Sequence, residues 1–448
     1  MVLGAGMAGL LAARVVSEFY DTVTVVERDE LPRTPMQRKG IPQGHHLHRL
    51  LSRGSQLVGE FFPGLLDELV AAGAHVDDGD LSRVYVRIGR HGLPRSGKFR
   101  DPAALITYAT SRPFLECHVR RRVCDIENVV MLDGHEVVEP IAPTPQRITG
   151  VRVMHRSTGD QLALDADLVV DAMGRGARTP AFLEKLGYGR PPERHCDAPA
   201  TYASQFLRMP PDLIAERLMM VPPLAGKPGG LLAAAEHDTW VLSVGQLDTE
   251  WAPPTDLAEL LCVAERFTPP SIMKGLRTAE PIGDVAVFRH RGATWRRYEK
   301  MPRFPAGWLV IGDALCSLNP IHGQGMTIAA LQALALREHL SAVDADGQPQ
   351  RFFSAAARHI GPTWAANQVR DNPPLAGASD RGWSKKLTGW AARQALEAAR
   401  NDVAFTEVFL RVNHLVDPPD RLRDPRLIGR VIAANLWRRG LLRLGWRS

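Results

Sequence analysis

The sequence predicts an α/β fold. A Rossmann-like domain on a parallel sheet is drawn from three stretches of chain, with an inserted antiparallel-sheet domain and a helical C-terminal region. Three observations carry this expectation. A short apolar run, Met1-Val2-Leu3, leads straight into Gly4-Ala5-Gly6-Met7-Ala8-Gly9 and then a helical pattern at Leu10, Leu11, Ala13 and Val16. Two further buried-strand runs, at 167–171 and 308–311, each end in a glycine turn. Between them, 201–209 and 239–246 alternate in the manner of a sheet with one covered face.

The chain has 448 residues, 45% hydrophobic and 23% charged, with 39 Gly and 34 Pro. At roughly 150 residues per domain that is about three domain-sized units, or two large ones with insertions. Such a composition fills several cores and excludes disorder, collagen-like repeats and disulfide-stapled miniatures. The 5 cysteines, Cys117, Cys124, Cys196, Cys262 and Cys316, form no C-x-x-C pair. An odd, scattered set fits reduced thiols better than a disulfide framework or a zinc site. The net charge is +6 and arginine dominates it, without an aromatic-interleaved basic stripe, so nucleic acid is not an expected partner. No run of ~18 apolar residues occurs, so no stable membrane insertion is expected. No charged n-region precedes the first apolar run, which argues against a cleaved signal and for a cytoplasmic protein.

The first element is a strand, a glycine turn and a helix. Glycines at positions 4, 6 and 9 permit a tight turn, close approach of backbone to a pyrophosphate, and close helix–strand packing. The helix N-terminus, at Met7 and Ala8, offers free N–H groups and a positive dipole end. A second strand, Val23-Thr24-Val25-Val26, ends in Glu27 and Arg28, where a carboxylate can accept both ribose hydroxyls of an adenosine. Only three residues precede Gly4. Either the true start lies upstream of Met1, or the first strand is clipped.

The next two elements separate FAD from NAD. Asp167 to Asp171 reads as a buried strand running into Ala172-Met173-Gly174-Arg175-Gly176. Trp308 to Ile311 is another, ending in Gly312-Asp313-Ala314, followed by Asn319-Pro320, Gly323-Gln324-Gly325-Met326 and an apolar helix from Thr327 to Leu340. A carboxylate at a strand end suits a ribityl hydroxyl. A glycine-rich turn opening a helix suits a ring edge that gains negative charge on reduction. These features point to FAD.

Together the three segments resemble the fingerprints of FAD-dependent monooxygenases of the para-hydroxybenzoate hydroxylase type. Arg38-Lys39-Gly40-Ile41-Pro42-Gln43-Gly44 with His46 and His48 is similar to a segment of bacterial polyene epoxidases. Ser111-Arg112-Pro113-Phe114-Leu115 resembles the helix start whose arginine meets the FAD diphosphate or ribose. The resemblance implies cofactor contacts from Gly4, Gly6, Met7, Ala8, Gly9, Glu27, Arg28, Arg38, Lys39, His46, Arg112 and Gly174. It adds Asp313 for the ribityl chain, and Pro320, Gly323, Gln324, Gly325 and Met326 for the isoalloxazine edge. It also implies NAD(P)H as reductant, O2 as co-substrate, and epoxidation or hydroxylation of an apolar natural product through a C4a-hydroperoxyflavin. His322, Arg289 and Tyr298 are the polar candidates for the catalytic face. Arg289 and Tyr298 also read as inter-domain contacts, and His322 as a loop residue in place of Tyr.

Two departures matter. Asp171-Ala172-Met173-Gly174 stands where many aromatic hydroxylases carry a G-A-D-G run that also helps bind NAD(P)H. The tryptophan motif and lysine of flavin halogenases are absent. A non-redox cyclase on the same scaffold, a flavin-dependent alkene reductase and a non-catalytic flavoprotein therefore stay open as rival readings. His45, His46 and His48 lack a partner at ligand spacing, so no metal site is expected.

The expected layout places the FAD-binding domain at 1–75, 100–190 and 284–345, the substrate domain at 76–99 and 191–283, and a helical region at 346–448. Met209, Met219 and Met220 read either as an adaptable apolar pocket or as core. The tail from Leu427 to Trp446 interleaves Leu, Ile, Val and Trp with arginines at roughly helical spacing. Pro425 and Gly440 break it into short pieces, which favours packing on the protein over lying on an anionic membrane.

Overall fold

The computed structural model describes the chain except residues 211, 225, 343–348, 372–399, 401 and 430–448. Most of the tail from Leu427 to Trp446 therefore lies outside the described residues, as does much of 346–448. The chain divides into two compact units. The first comprises Met1–Ala74, Thr110–Asp197 and Arg291–Trp364; the second comprises His75–Ala109, Ala198–His290 and Ala365–Ser448. The fold is α/β, with a parallel sheet and a larger mixed sheet. Among the described residues no helix is long and apolar enough to cross a membrane.

In the first unit, five strands run in the order Trp308–Val310, Val169–Asp171, Val2–Leu3, Val23–Val26, Val129–Leu132, every pairing parallel. The first four are buried nearly throughout, as their unbroken apolar runs require of a sheet covered on both faces. Helix Met7–Val16 lies on this sheet and packs against helix Gly325–Leu340, through residues such as Leu10, Leu11, Ala330 and Ala333, all fully buried. A three-stranded antiparallel sheet, His135–Ile141, Gly150–His155 and Gln161–Asp165, is appended.

The main sheet of the second unit runs Glu280–Arg296, Glu193–Arg208, Thr239–Gln246, Gly229–Ala234, Leu218–Val221, Val84–Ile88, His91–Gly92. The alternation legible at 201–209 and 239–246 becomes one antiparallel register, Thr201 opposite Gln246 through Arg208 opposite Thr239. One pairing departs from the expected antiparallel pattern: Leu218–Val221 runs parallel to Val84–Ile88. Residues 84–88 come from a separate, earlier insertion, so no hairpin dictates their direction. One face of the sheet carries Leu207, Trp240, Leu242 and Val244 and is covered by helices Leu257–Ala264 and Pro270–Leu276. Met209 and Met219 sit in this same core, which settles them as core residues, while Met220 is half-buried.

One buried polar chain fixes the turn after strand Val169–Asp171. The Asp171 carboxylate is fully buried and accepts hydrogen bonds from Met173 N at 2.9 Å and from the Thr179 hydroxyl. Thr179 in turn accepts from Trp308 Nε1 at 3.1 Å, on the neighbouring strand. Burial pushes Asp171 up to about 6, against the pull of Thr179, Met173 N and Arg296. Thr179→Val keeps the shape and removes the hydroxyl, leaving the indole N–H unpaired and the carboxylate with one fewer donor. Chemical denaturation should show a loss of about 1–3 kcal/mol.

Candidate functional site

Strand register assembles the site. Leu3 lies opposite both Val26 and Asp171, and Asp171 opposite Val310, so four strands end level. The residues just past that edge are Gly4, Glu27, Ala172 and Ile311. Backbone bonds tie them across it: Gly4 N to Val26 O at 2.7 Å, Ala172 N to Leu3 O at 2.9 Å, and Ile311 N to Asp171 O at 2.9 Å. The carboxyl edge of an open parallel sheet is where such folds bind ligands.

The glycines there are of two kinds. A Cβ on Gly9 would lie 1.8 Å from Gly4 O, and one on Gly312 would lie 2.5 Å from Ala8 Cβ. The protein's own packing demands these two glycines: one lets the first helix close on the loop, the other lets the Asp313 turn close on that helix. Gly6 and Gly325 are different. A Cβ on Gly6 would meet only Ile41 Cδ1, at 3.7 Å, and one on Gly325 would meet nothing within 4 Å. Each lies at a helix start that no side chain caps, Met7–Val16 and Gly325–Leu340. The space they leave open, beside free N–H groups, fits a phosphate and an electron-rich ring edge.

Two carboxylates mark the ends of this edge, in opposite states. Glu27 is buried and held by the protein: Oε2 accepts from Ala5 N at 2.7 Å and lies 3.1 Å from Arg38 Nη1, while Oε1 accepts from Asp29 N at 3.1 Å. Asp313 is half-buried, and among the described residues no donor hydrogen-bonds to its carboxylate. Burial pushes its pKa up, and the charges of Arg175, Arg112 and Arg296 only partly offset this. A carboxylate so placed suits hydroxyl donors from outside the chain.

Arg38 and Arg112 meet at one carboxylate, that of Glu116. Arg38 donates from Nη2 to Ala5 O at 2.8 Å and from Nε to Glu116 Oε1 at 2.8 Å. Burial works against its charge, but Glu116 and Glu27 more than compensate and raise its pKa. Arg112 opens helix Arg112–Cys124, where Ser111 caps the Phe114 N–H at 3.3 Å, and it donates from Nε and Nη2 to Glu116 Oε2 at 3.1 and 3.0 Å. Asp29 joins the cluster through Gly40 N, at 2.6 Å, and Arg38, at 3.4 Å. Neither Glu116 nor Asp29 stands out in the sequence. Its only signal is the i,i+4 spacing of Arg112, Glu116 and Arg120 on one helix.

The remaining residues scatter. Gly174 begins a 3-10 turn at φ +73°, and Gly323 ends the turn Pro320–His322 at φ +65°. Met7, Gln324 and Met326 are buried, Ala8 and His322 half-buried, and Pro320 exposed. Arg28 and Lys39 are exposed, without a side-chain partner in the network. Tyr298 is fully buried, stacked on Phe353 with ring centroids 5.2 Å apart and edge-on to Phe304 at 5.7 Å. It belongs to an aromatic core, and burial raises its phenol far above the ordinary range. Arg289 is an exposed residue of the second unit.

No protein-family profile matches the chain. The Mycobacterium tuberculosis protein Rv3254 is 38% identical over 450 residues, covering 97% of this chain and 93% of that protein. Three solved structures share the fold. A flavoprotein/dehydrogenase from Cytophaga hutchinsonii superposes with a TM-score of 0.66 at 15% identity, over 96% of this chain and 95% of its own. The p-nitrophenol 4-monooxygenase PnpA from Pseudomonas putida gives 0.64 at 14%, over 92% and 97%. The flavin-dependent brominase Bmp2 gives 0.60 at 16%, over 100% and 98%. The fold is thus that of FAD-dependent monooxygenases and halogenases.

His46 and His48 lie in the segment joining Arg38 to helix Ser52–Phe61, and His48 Nδ1 bonds His46 O at 3.1 Å. Burial, aided by the charge of His45, lowers His46 to about 4. Burial, aided by Arg112, lowers His48 to about 3. Both are neutral at pH 7. Above pH 6.5 they leave stability unchanged; as pH falls from 6.5 towards 4, the unfolded chain takes up protons that the folded chain refuses. Between pH 7 and 4.5, His46 alone should cost about 2–3 kcal/mol. Denaturation midpoints of His46→Gln should fall less steeply over that range than those of the unaltered protein.

Proposed function

This chain belongs to the family of the Mycobacterium tuberculosis protein Rv3254, and on that premise we propose that it is an FAD-dependent monooxygenase acting on an apolar, polyketide- or polyene-like molecule by epoxidation or hydroxylation. The observation that carries the cofactor assignment is Asp313: a half-buried carboxylate on the sheet's carboxyl edge, raised in pKa and, among the described residues, without a hydrogen-bond donor. A ribityl chain supplies the missing hydroxyls.

FAD, when bound, supplies electron transfer and the activation of O2, with NAD(P)H as the electron source. The chain's own residues bind and orient. Glu27 accepts ribose hydroxyls at the adenosine end, in exchange for the Arg38 donor it holds at 3.1 Å. The open loop at Gly6 admits the diphosphate to the free N–H groups of helix Met7–Val16. The uncapped start of helix Gly325–Leu340 meets the negative charge of the ring edge. His322, half-buried next to Gly323, is the polar side chain of that turn. Tyr298, enclosed by rings, takes no part. Epoxidation needs no protein base to ionise the substrate, which suits a site with few acid–base groups. The missing tryptophan motif and lysine favour transfer of oxygen over transfer of halogen.

Stopped-flow absorbance tests the reading. The flavin should bleach with NADPH or NADH in the presence of substrate and recover its colour with O2. Flavin that never bleaches while substrate is still converted would replace the monooxygenase with a non-redox cyclase; turnover without O2 would replace it with an alkene reductase.

Asp313→Ala separates binding from folding. Loss of a charge-assisted pair should weaken FAD by about tenfold to a hundredfold. Because burial opposes the Asp313 charge and no group among the described residues bonds to it, thermal stability should stay level or rise. Glu27→Ala should lower FAD affinity and stability together, since Glu27 pins Ala5, Asp29 and Arg38.

A further inference from the structure

We infer that Glu116 is the positioning residue of the cofactor site, orienting the guanidinium groups of Arg38 and Arg112, which come from two separate chain segments, towards the diphosphate that links the Glu27 end to the Asp313 end. The inference rests on the FAD reading above. It concerns a side chain that touches neither end.

Glu116 is buried at the middle of helix Arg112–Cys124 and divides its two oxygens between the two arginines. Oε1 takes Arg38, through Nε at 2.8 Å and Nη2 at 2.8 Å. Oε2 takes Arg112, through Nε at 3.1 Å and Nη2 at 3.0 Å. Each contact uses the side edge of a guanidinium, which fixes the plane of the group as well as its place. Arg120 Nη1, 3.6 Å from Oε1, adds a third cation.

The two arginines depend on Glu116 to different degrees. Arg38 has other anchors, in Glu27, Asp29 and Ala5 O. Arg112 has none: among the described residues Glu116 is its sole hydrogen-bonding partner, and no bond to its Nη1 is made there. With its Nε–Nη2 edge tied down, Arg112 presents the Nη1 end. The Arg112 charge is felt at both Asp313 and His48. A diphosphate held by this pair would join the Glu27 end to the Asp313 end. Its two negative charges match the free donors of Arg112 and those that Arg38 releases when ribose takes its place on Glu27.

The test is FAD titration by flavin fluorescence, with thermal melts, on four proteins: unaltered, Glu116→Gln, Arg112→Gln and the double variant. Glu116→Gln keeps the shape but replaces a carboxylate oxygen by an N–H that repels the arginine it faced. It should raise the FAD dissociation constant at least tenfold. Arg112→Gln should do likewise alone, yet add less than twofold on top of Glu116→Gln, because Arg38 keeps its anchors in Glu27, Asp29 and Ala5 O, so that the effect of Glu116 runs mainly through Arg112. A purely structural glutamate would lower the melting temperature and give losses that multiply independently of Arg112. FAD affinity of Glu116→Gln within twofold of the unaltered protein, or full multiplication in the double variant, overturns the inference. If Glu116→Gln does not fold, Glu116→Asp, which keeps the charge and withdraws it by one methylene, takes its place with the same expectations. Unaltered protein that binds no FAD would instead overturn the cofactor reading itself.

Discussion

Everything at the candidate site depends on four short strands ending level. Val2–Leu3 has two residues, Val169–Asp171 and Trp308–Val310 three each, and Val23–Val26 four. With so little length there is no slack in the register. A slip of one residue would turn each side chain to the opposite face and carry the following loop about 3.3 Å along the strand. The glycine loop, Glu27, the Ala172 turn and Asp313 are far apart in sequence and share no local signal. They meet because buried valine and leucine runs admit one alignment, and because the Asp171–Thr179–Trp308 chain stitches two of the strands together from within.

On this frame the polar groups are distributed unevenly. At the Glu27 end the protein has closed its own network: three arginines face three carboxylates, buried, with nearly every oxygen used. Buried ion clusters of this kind are seldom strong sources of stability, because desolvation consumes most of the Coulomb gain, but removing one member is costly. They hold geometry. At the Asp313 end burial opposes the charge, and among the described residues no donor bonds to the carboxylate. On the proposed FAD reading, the preformed half would set orientation and the Asp313 half would reward occupancy.

The chemistry-bearing segments were legible because they are local. Three glycines after a strand, an acid at the end of the next, and Gly-Asp after a third are patterns within a few residues, and the expected α/β fold follows from them. What was not legible is whatever needs two distant segments at once. Glu116 reads as an ordinary helix residue until Arg38, 78 positions away, folds onto it. Tyr298 reads as a polar candidate until Phe304 and Phe353 close round its ring. Met209 and Met219 read as pocket or core with equal ease, and burial against Trp240 and helix Pro270–Leu276 decides for core. The parallel pairing of Leu218–Val221 with Val84–Ile88 escaped for the same reason, since no turn joins the two.

The order of the strands has a consequence for how the chain is made. The central strand of the first unit is Val2–Leu3, which precedes its four sheet partners in the chain, and its neighbour Val169–Asp171 must also pair with Trp308–Val310. At roughly 5–20 residues per second, synthesis needs some 15–60 s to travel from one to the other. Val23–Val26 is made early in that interval and Val169–Asp171 about midway, and the set of four strands is complete only when Trp308–Val310 follows. Contacts this distant in sequence close slowly and leave strand edges open to wrong partners. The sheet is thus completed late, Val2–Leu3 and Val169–Asp171 waiting on Trp308–Val310 for the full set, and a chaperone that shields the early strands during translation would act on the segment that carries the glycine loop.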